Sequence, residues 1–447
     1  MRPIADLFRH ERRATVFFVT LTQSSLGTGA GYIALLLIAE DRCNSAWAIS
    51  LVLSADLLPA MLMGPLFGAL ADRYSRRLCT VIADVLRAGA FVGIALVDSF
   101  AATLALAAMA GTGTALFTPA ALASLPSLVK PARLPAATSV YGAIADLGFT
   151  IGPALAALLL LAGSAETIIL VNGLTFGVSA LVLAALSFGA APSRMEPRSG
   201  SLAPALLQDV REGLKAAAAL PGLLTVLLVS SLAFFFVGIF NVGELFLATD
   251  ELSMSDAGFS ALVALFGLGF IAGSLSAARG GSLPELKARY LAGLAMMGAG
   301  LLASGLAPVA VVAGVTFVAA GAGNGLVIVY ERLLIQARVP DRLAGRVFGL
   351  KDALTAWAFG TAFAVAAALI EFAGVRVAIA LAGVGTLVAW ITAASLLRNT
   401  WTTDEVEPRE GELNRGADAL GRGAGGEDGA DLVRTRDHWL ALLDDFE

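Results

Sequence analysis

Apolar residues run along this chain in blocks of about 20, the length a helix needs to cross roughly 30 Å of hydrocarbon. The blocks fall at 15–38, 46–69, 80–98, 101–125, 137–162 and 165–189, and again at 222–248, 257–279, 289–307, 309–334, 346–373 and 375–397. Six blocks, a polar stretch and six more predict twelve transmembrane helices in two bundles, 15–189 and 222–397. The stretch 190–221 carries Arg194, Arg198, Asp209, Arg211, Glu212 and Lys215. It reads as a cytoplasmic linker whose part 204–219 forms an amphipathic surface helix. Residues 1–14 read as a short cytoplasmic N-terminus. Residues 398–447 are polar, acidic and Gly-rich around 421–429, the composition of a largely disordered tail. Within that tail, 432–446 with Trp439 and its leucines matches one short amphipathic helix.

Composition agrees with this pattern. Of 447 residues, 57% are hydrophobic and 15% charged, against roughly a quarter charged in a soluble domain. The first block follows the basic stretch 1–13 without a small-residue cleavage site, so it is expected to be a retained span. Cys43 and Cys79 are expected on opposite membrane faces, where a disulfide cannot form. His10 and His438 are the only histidines, so no metal site or other cofactor is expected. No Gly-x-x-x-x-Gly-Lys loop for a nucleoside triphosphate is present. No cluster of catalytic groups points to an enzyme, and no basic aromatic patch points to nucleic acid.

Lys and Arg accumulate on the cytoplasmic side of membrane proteins. With the N-terminus inside, the inner segments hold Arg2, Arg9, Arg12 and Arg13; Arg73, Arg76 and Arg77; Lys130 and Arg133; the linker; Arg279, Lys287 and Arg289; and Arg338, Arg342 and Arg346. The outer loops hold only Arg42 and Arg376 and are otherwise acidic, with Glu40, Asp41, Asp98, Glu166, Asp250, Glu251 and Asp256. Both termini are therefore expected in the cytoplasm of a bacterial cell, with the spans in its inner membrane.

The two bundles read as repeats at an offset of about 205–210 residues. Gly111-Thr-Gly113 is followed by Pro131-Ala-Arg-Leu and Val140-Tyr-Gly. Gly321-Ala-Gly323 is followed by Pro340-Asp-Arg-Leu and Val347-Phe-Gly. Gly68-x-Leu70 is echoed by Gly273-x-Leu275. Parallel repeats of six helices are one of the transporter patterns.

The loop after the second span reads Gly68-Ala-Leu-Ala-Asp72-Arg73-Tyr-Ser-Arg76-Arg77. Gly68 permits close helix approach, Asp72 suits a helix N-terminus or an Arg, and the three arginines anchor the inner face. This run resembles the signature of the major facilitator superfamily between its second and third helices, Gly-x-Leu-Ala-Asp-Arg-x-Gly-Arg-Arg, with Ser75 in place of a Gly. The resemblance implies a conformational-switch loop that locks the outward-facing state and breaks during switching. Gly148-Phe-Thr-Ile-Gly152-Pro153-Ala-Leu-Ala156-Ala157 is similar to the family's antiporter signature, with two alanines replacing its last two glycines. Small residues four apart form a packing groove and Pro153 permits a kink. The Arg that opens the family's fourth-span signature is missing, because span four carries no charge.

Ionisable residues inside spans are costly and are candidates for function. Asp56 lies well inside span two, and Asp146 about 14 Å into span five at 1.5 Å per residue. These are the preferred proton-coupling residues. Asp84 and Arg87, Glu331 and Arg332, and Lys351 and Asp352 are expected to form structural ion pairs. Candidate cavity residues are Gln23, Asn172, Phe236, Asn241, Glu244 and Trp357, with Thr20, Phe176, Phe234, Phe235 and Phe240 beside them.

The resemblance covers nearly all of residues 10–398. It is nearest to the macrolide-efflux and enterobactin-exporter branch, through Ala71-Asp-Arg-Tyr-Ser-Arg-Arg with Asp84-x-x-Arg87, Phe117-Thr-Pro119, Asn172 with Phe176, Val210-Arg-Glu-Gly213, and Val339-Pro340 with Gly345-Arg-Val347. It implies an all-α major facilitator fold and a secondary active transporter. The expected activity is proton-coupled efflux of a small amphipathic drug or siderophore by alternating access, by a monomer whose partners are its substrate, protons and the lipid bilayer. The alternatives are an uptake or lipid-moving transporter of the same fold, or a membrane sensor that does not transport.

Overall fold

The computed structural model describes residues 2–188, 211–276 apart from 212 and 216, and 280–401. The linker's first part and the tail beyond Trp401 lie outside the described residues. Residues up to Thr400 form one compact unit. A short helix α1 (Arg2–His10) leads into α2 (Arg12–Cys43), α3 (Ala46–Arg73), α4 (Arg76–Leu96), α5 (Phe100–Leu128), α6 (Leu134–Leu160) and α7 (Ala165–Ala185). The second half comprises α8 (Leu223–Phe246), α9 (Asp256–Leu275), α10 (Leu283–Gly305), α11 (Ala310–Arg338), α12 (Asp341–Ala373) and α13 (Val375–Leu396).

Backbone groups in hydrocarbon must bond within their own segment, which is why every spanning element is a helix. Eleven of the helices α2–α13 are long and apolar enough to cross a membrane. The remaining one, α10, opens with Glu285, Lys287 and Arg289 and is interrupted by Gly293, Gly298 and Gly300, which dilute its hydropathy. It nevertheless packs as the others do.

The packing order repeats between the halves. In the first, α5 lies against α3 and α4, α2 against α6 and α7, and α4 against α7; in the second, α11 lies against α9 and α10, α8 against α12 and α13, and α10 against α13. Glycines set the closest approaches. Gly111 of α5 rests on the α3 backbone at Asp56, and Gly321 of α11 rests on the α9 backbone at Phe266. Gly113 meets Arg87 and Ala83 of α4, while Gly323 meets Met297 and Gly293 of α10. Both members of each pair are displaced by the same sequence offset, so the repeat is physical as well as textual.

Between the halves, α3 lies along α12 and α6 along α9. Call the ends carrying the arginine-rich connections the basic face and the opposite ends the acidic face. Toward the acidic face, Trp47 Nε1 donates to Glu371 Oε2 at 2.6 Å and Ser50 Oγ to the Phe363 carbonyl at 2.7 Å. Mid-membrane, Gly267 approaches Thr150 and Gly360 approaches Met61. Toward the basic face, a Cβ added at Gly68, Gly142, Gly345 or Gly349 would meet nothing within 4 Å.

The two acidic-face arginines are tied down. Arg42 bonds Thr103 and the Ile94 carbonyl, and Arg376 bonds Glu251 at 2.6 Å and the Ala307 carbonyl at 2.7 Å. Cys43 and Cys79 are free and sit at opposite ends of the bundle. The described linker residues 211, 213–215 and 217–219 are helical. Gly213 packs on Arg346, and Ala217 joins a cluster with Leu223, Ile335 and Val347.

Candidate functional site

Asp56 sits midway along α3, on a helix segment pressed against α5, yet its side chain is accessible. Arg87 of α4 lies within its electrostatic reach. Tyr32 of α2, half-buried, lies within reach of both Asp56 and Glu244 of α8. Glu244 is 3% exposed. One phenol thus lies within electrostatic reach of a carboxylate from each half of the molecule.

Arg87 and Asp84 form an ion pair one turn apart on α4, both buried. Ser179 of α7 donates to the second Asp84 oxygen at 2.6 Å. The Arg87 guanidinium is sandwiched between Phe117 of α5 and Phe176 of α7, 4.2 and 4.3 Å from the two ring centroids. Phe91 stacks on the outer side of Phe176 at 5.7 Å. A buried cation needs a carboxylate, and the ring faces add electrostatic attraction where water is absent. Phe176 is therefore part of this ion-pair shell and not a lining of open space.

Asp146 on α6 is accessible, and Arg332 of α11, in the other half, lies within its electrostatic reach. Arg332 is itself accessible. The expected pairing of Glu331 with Arg332 is corrected by the geometry: neighbours in sequence on a helix point about 100° apart. Glu331 turns into its own half, 1% exposed, where it bonds Ser230 of α8. Ser230 in turn shares a 2.8 Å hydrogen bond with Tyr290 of α10. The other Glu331 oxygen has no hydrogen-bond partner among the described residues. Lys351 and Asp352 do meet, at 3.2 Å.

The switch-loop residues bracket the start of α4. Ser75 caps that helix, its hydroxyl accepting from the Leu78 amide, which gives a local reason for a Ser at that position. Arg77 donates to the Ala184 carbonyl at the end of α7. Arg73 is exposed, Arg76 half-buried, and the Asp72 side chain lies outside the described part. Gly148 and Gly152 form the groove that receives Gly29 of α2, backbone against backbone, with Pro153 inside the helix.

Two proposed cavity residues belong elsewhere. Asn172 is 1% exposed and wedged on Gly27 and Gly31 of α2, with neither amide atom hydrogen-bonded among the described residues. Phe236 lies against Gly385 of α13, on the side away from the first half. Both follow from the helix register, because small residues on the facing helix create the slot that the larger side chain fills. Gln23 and Asn241 are half-buried and Trp357 is 59% exposed. Tyr32, Ser230 and Tyr290 were not singled out from sequence. A lone phenol or hydroxyl in an apolar run was the available signal.

The chain's arrangement has known counterparts. The family model for the Major Facilitator Superfamily matches residues 14–360. A Bacillus subtilis MFS-type transporter, YfiS, is 29% identical over 395 residues, covering 84% of this chain and 91% of that protein. Macrolide efflux protein A of Streptococcus pyogenes is 24% identical, covering 77% of this chain and 86% of its own. The multidrug efflux pump Tap of Mycobacterium tuberculosis matches 45% of this chain and 49% of that protein at 29% identity. Among solved structures, a bacterial homologue of the human lysosomal transporter Spinster, inward-facing and occupied, superposes with a TM-score of 0.68 at 14% identity, covering 89% of this chain and 98% of that one. The human organic anion transporter MFSD10 gives 0.59 at 20% identity, covering 86% and 99%. Twelve long helices in two equivalent bundles, and a family model spanning both, place this multi-pass membrane protein among the transporters of the Major Facilitator Superfamily.

Proposed function

We propose that the chain is a proton-coupled exporter of a small amphipathic compound, seated in the bacterial cytoplasmic membrane as a monomer with both termini inside. The observation that carries this reading is the accessible Asp56, mid-span, with Tyr32 of its own half within electrostatic reach of both it and Glu244 of the opposite half. A carboxylate in that position gains or loses a proton according to which side it meets, and its charge alters the attraction between the halves. Asp146, within electrostatic reach of Arg332 of the other half, is the second proton carrier in this reading.

Alternating access has a physical basis in the contacts described above. Trp47, Ser50, Phe363 and Glu371 hold the halves together toward the acidic face, while the interface glycines toward the basic face touch nothing. The concentration of Arg and Lys on the basic face supports its being the cytoplasmic side. Export, and a drug-like substrate, are supported by the names of the macrolide and multidrug efflux relatives.

Proteoliposomes with an imposed pH gradient and a macrolide as probe provide the test. Export driven by the gradient is expected, with Asp56→Asn and Asp146→Asn each losing the gradient dependence. Unchanged gradient-driven export after both substitutions together would remove these residues as proton carriers. Export indifferent to the gradient in the unaltered protein would end the coupling itself.

A further inference from the structure

The N-terminal helix and the α5–α6 connection flank an open cleft lined by cationic side chains. α1 places Leu7 in full burial within the first half's core, beside Phe17, Leu128 and Ala137. Its Ile4 and Phe8 remain 41% and 39% exposed. The helix breaks at Glu11, and the Thr15 hydroxyl ties back to the Phe8 carbonyl at 3.1 Å. A basic amphipathic helix at the end of a transmembrane bundle, with apolar residues still uncovered, lies at head-group depth.

Beside this corner is an open cleft of about 530 Å³, lined by His10, Glu11, Arg12, Arg13, Ser127 and Lys130, among others. Its single carboxylate is already engaged. Glu11 Oε1 accepts from Arg133 at 2.6 Å and from the Lys130 amide at 3.3 Å. Among the described residues, Arg12, Arg13 and Lys130 have no ion-pair partner. Three unmatched cations therefore surround a space the size of a small-molecule pocket. Ser127 adds a hydroxyl to its wall.

We propose that this cleft binds the phosphate head group of an anionic phospholipid in the adjoining leaflet. Cationic pockets between transmembrane helices recognise such head groups through charge and hydrogen bonds. A free phosphate would satisfy the cations equally well. The exposed Ile4 and Phe8 decide for a lipid, since they offer acyl chains a surface beside the charged pocket. The proposal is independent of what the protein transports.

The test titrates the purified full-length protein with phosphatidylglycerol and with phosphatidylcholine, counting retained lipid by native mass spectrometry. Phosphatidylglycerol is expected to bind more tightly, and millimolar inorganic phosphate to leave it in place. Arg12→Gln with Lys130→Gln should weaken phosphatidylglycerol about 10- to 30-fold, without changing phosphatidylcholine. Arg211→Gln with Arg398→Gln removes the same charge from the same face and should shift it less than about threefold. Equal losses in both double variants, or no loss in either, would reduce the effect to diffuse surface charge and overturn the site. Displacement of phosphatidylglycerol by inorganic phosphate would overturn the lipid assignment. Phe8→Ser keeps every charge and should still weaken phosphatidylglycerol, which decides the matter even if the double variant at the site does not fold.

Discussion

Where Gly113 lets α5 settle on Arg87, Gly323 lets α11 settle on Met297. Where Gly111 covers Asp56, Gly321 covers Phe266. Along the same helices, Leu294 of α10 occupies the place of Asp84 on α4. The second half thus builds the same helix packing from a Leu, a Met and a Phe that the first builds around a buried ion pair and an accessible carboxylate. Its own buried carboxylates, Glu244 and Glu331, sit elsewhere, and Glu331 lies by Ser230, which shares a hydrogen bond with Tyr290, with Lys351 within electrostatic reach. The comparison separates two kinds of requirement. Backbone contact at glycines is common to both halves and belongs to the fold. The ion pair is confined to one half, so the fold does not require it.

The largest effect is expected from breaking the pair on one side. Arg87→Met leaves Asp84 buried with Ser179 as its main partner, and loss of about 3–5 kcal/mol is expected for an uncompensated buried charge. Asp84→Leu with Arg87→Met installs the second half's residues at both positions, and most of that loss should be recovered. Thermal unfolding of the detergent-solubilised variants measures both. If the double variant is no more stable than the single one, the apolar solution does not transfer between halves and the equivalence of the sites fails. If it is stable, its transport shows directly whether the ion pair serves the activity.

The glycine contacts make a second test, in which the halves should behave alike. Gly111→Val and Gly321→Val each direct a branched side chain into the backbone of the facing helix, which no rotamer can relieve. Losses of about 1–3 kcal/mol or more are expected for both. Gly68→Ala, whose Cβ meets nothing within 4 Å, should stay within about 0.5 kcal/mol. A large effect at Gly111 with none at Gly321, in the same unfolding assay, would mean the two bundles are not held by equivalent contacts.

The membrane-length helices were legible because hydrocarbon thickness imposes its own length on the sequence, eleven of them meeting it in both length and apolarity. The weakest of them, α10, is also the one with charge in its first turns. The repeat was visible in Gly111-x-Gly113 and Gly321-x-Gly323, since only glycine tolerates such close backbone approach. The residues those glycines touch could not be read, because register between distant helices leaves no local trace. For the same reason Glu331 was matched with its sequence neighbour, whereas Arg332 lies within electrostatic reach of Asp146 on a helix of the other half. Phe236 was assigned to the cavity for its chemistry, and only Gly385 on α13 reveals its slot. Helix α1 was passed over, although Ile4, Leu7 and Phe8 recur at helical spacing.

The smallest difference between the halves lies at the starts of α4 and α10, which are equivalent helices capped by Ser75 and Ser282. Ser75 uses its hydroxyl alone, on the Leu78 amide at 3.5 Å. Ser282 takes part in a reciprocal box, its own amide also donating to Glu285 at 3.1 Å. A longer, single bond should contribute less than a pair that satisfies two orphan amides. Ser282→Ala is therefore expected to lower stability by about 1 kcal/mol and Ser75→Ala by about 0.5 kcal/mol. Glu285→Ala should approach the Ser282→Ala value, because it removes the other arm of the same box. Melting shifts of equal size for Ser75→Ala and Ser282→Ala would show that the second arm adds nothing.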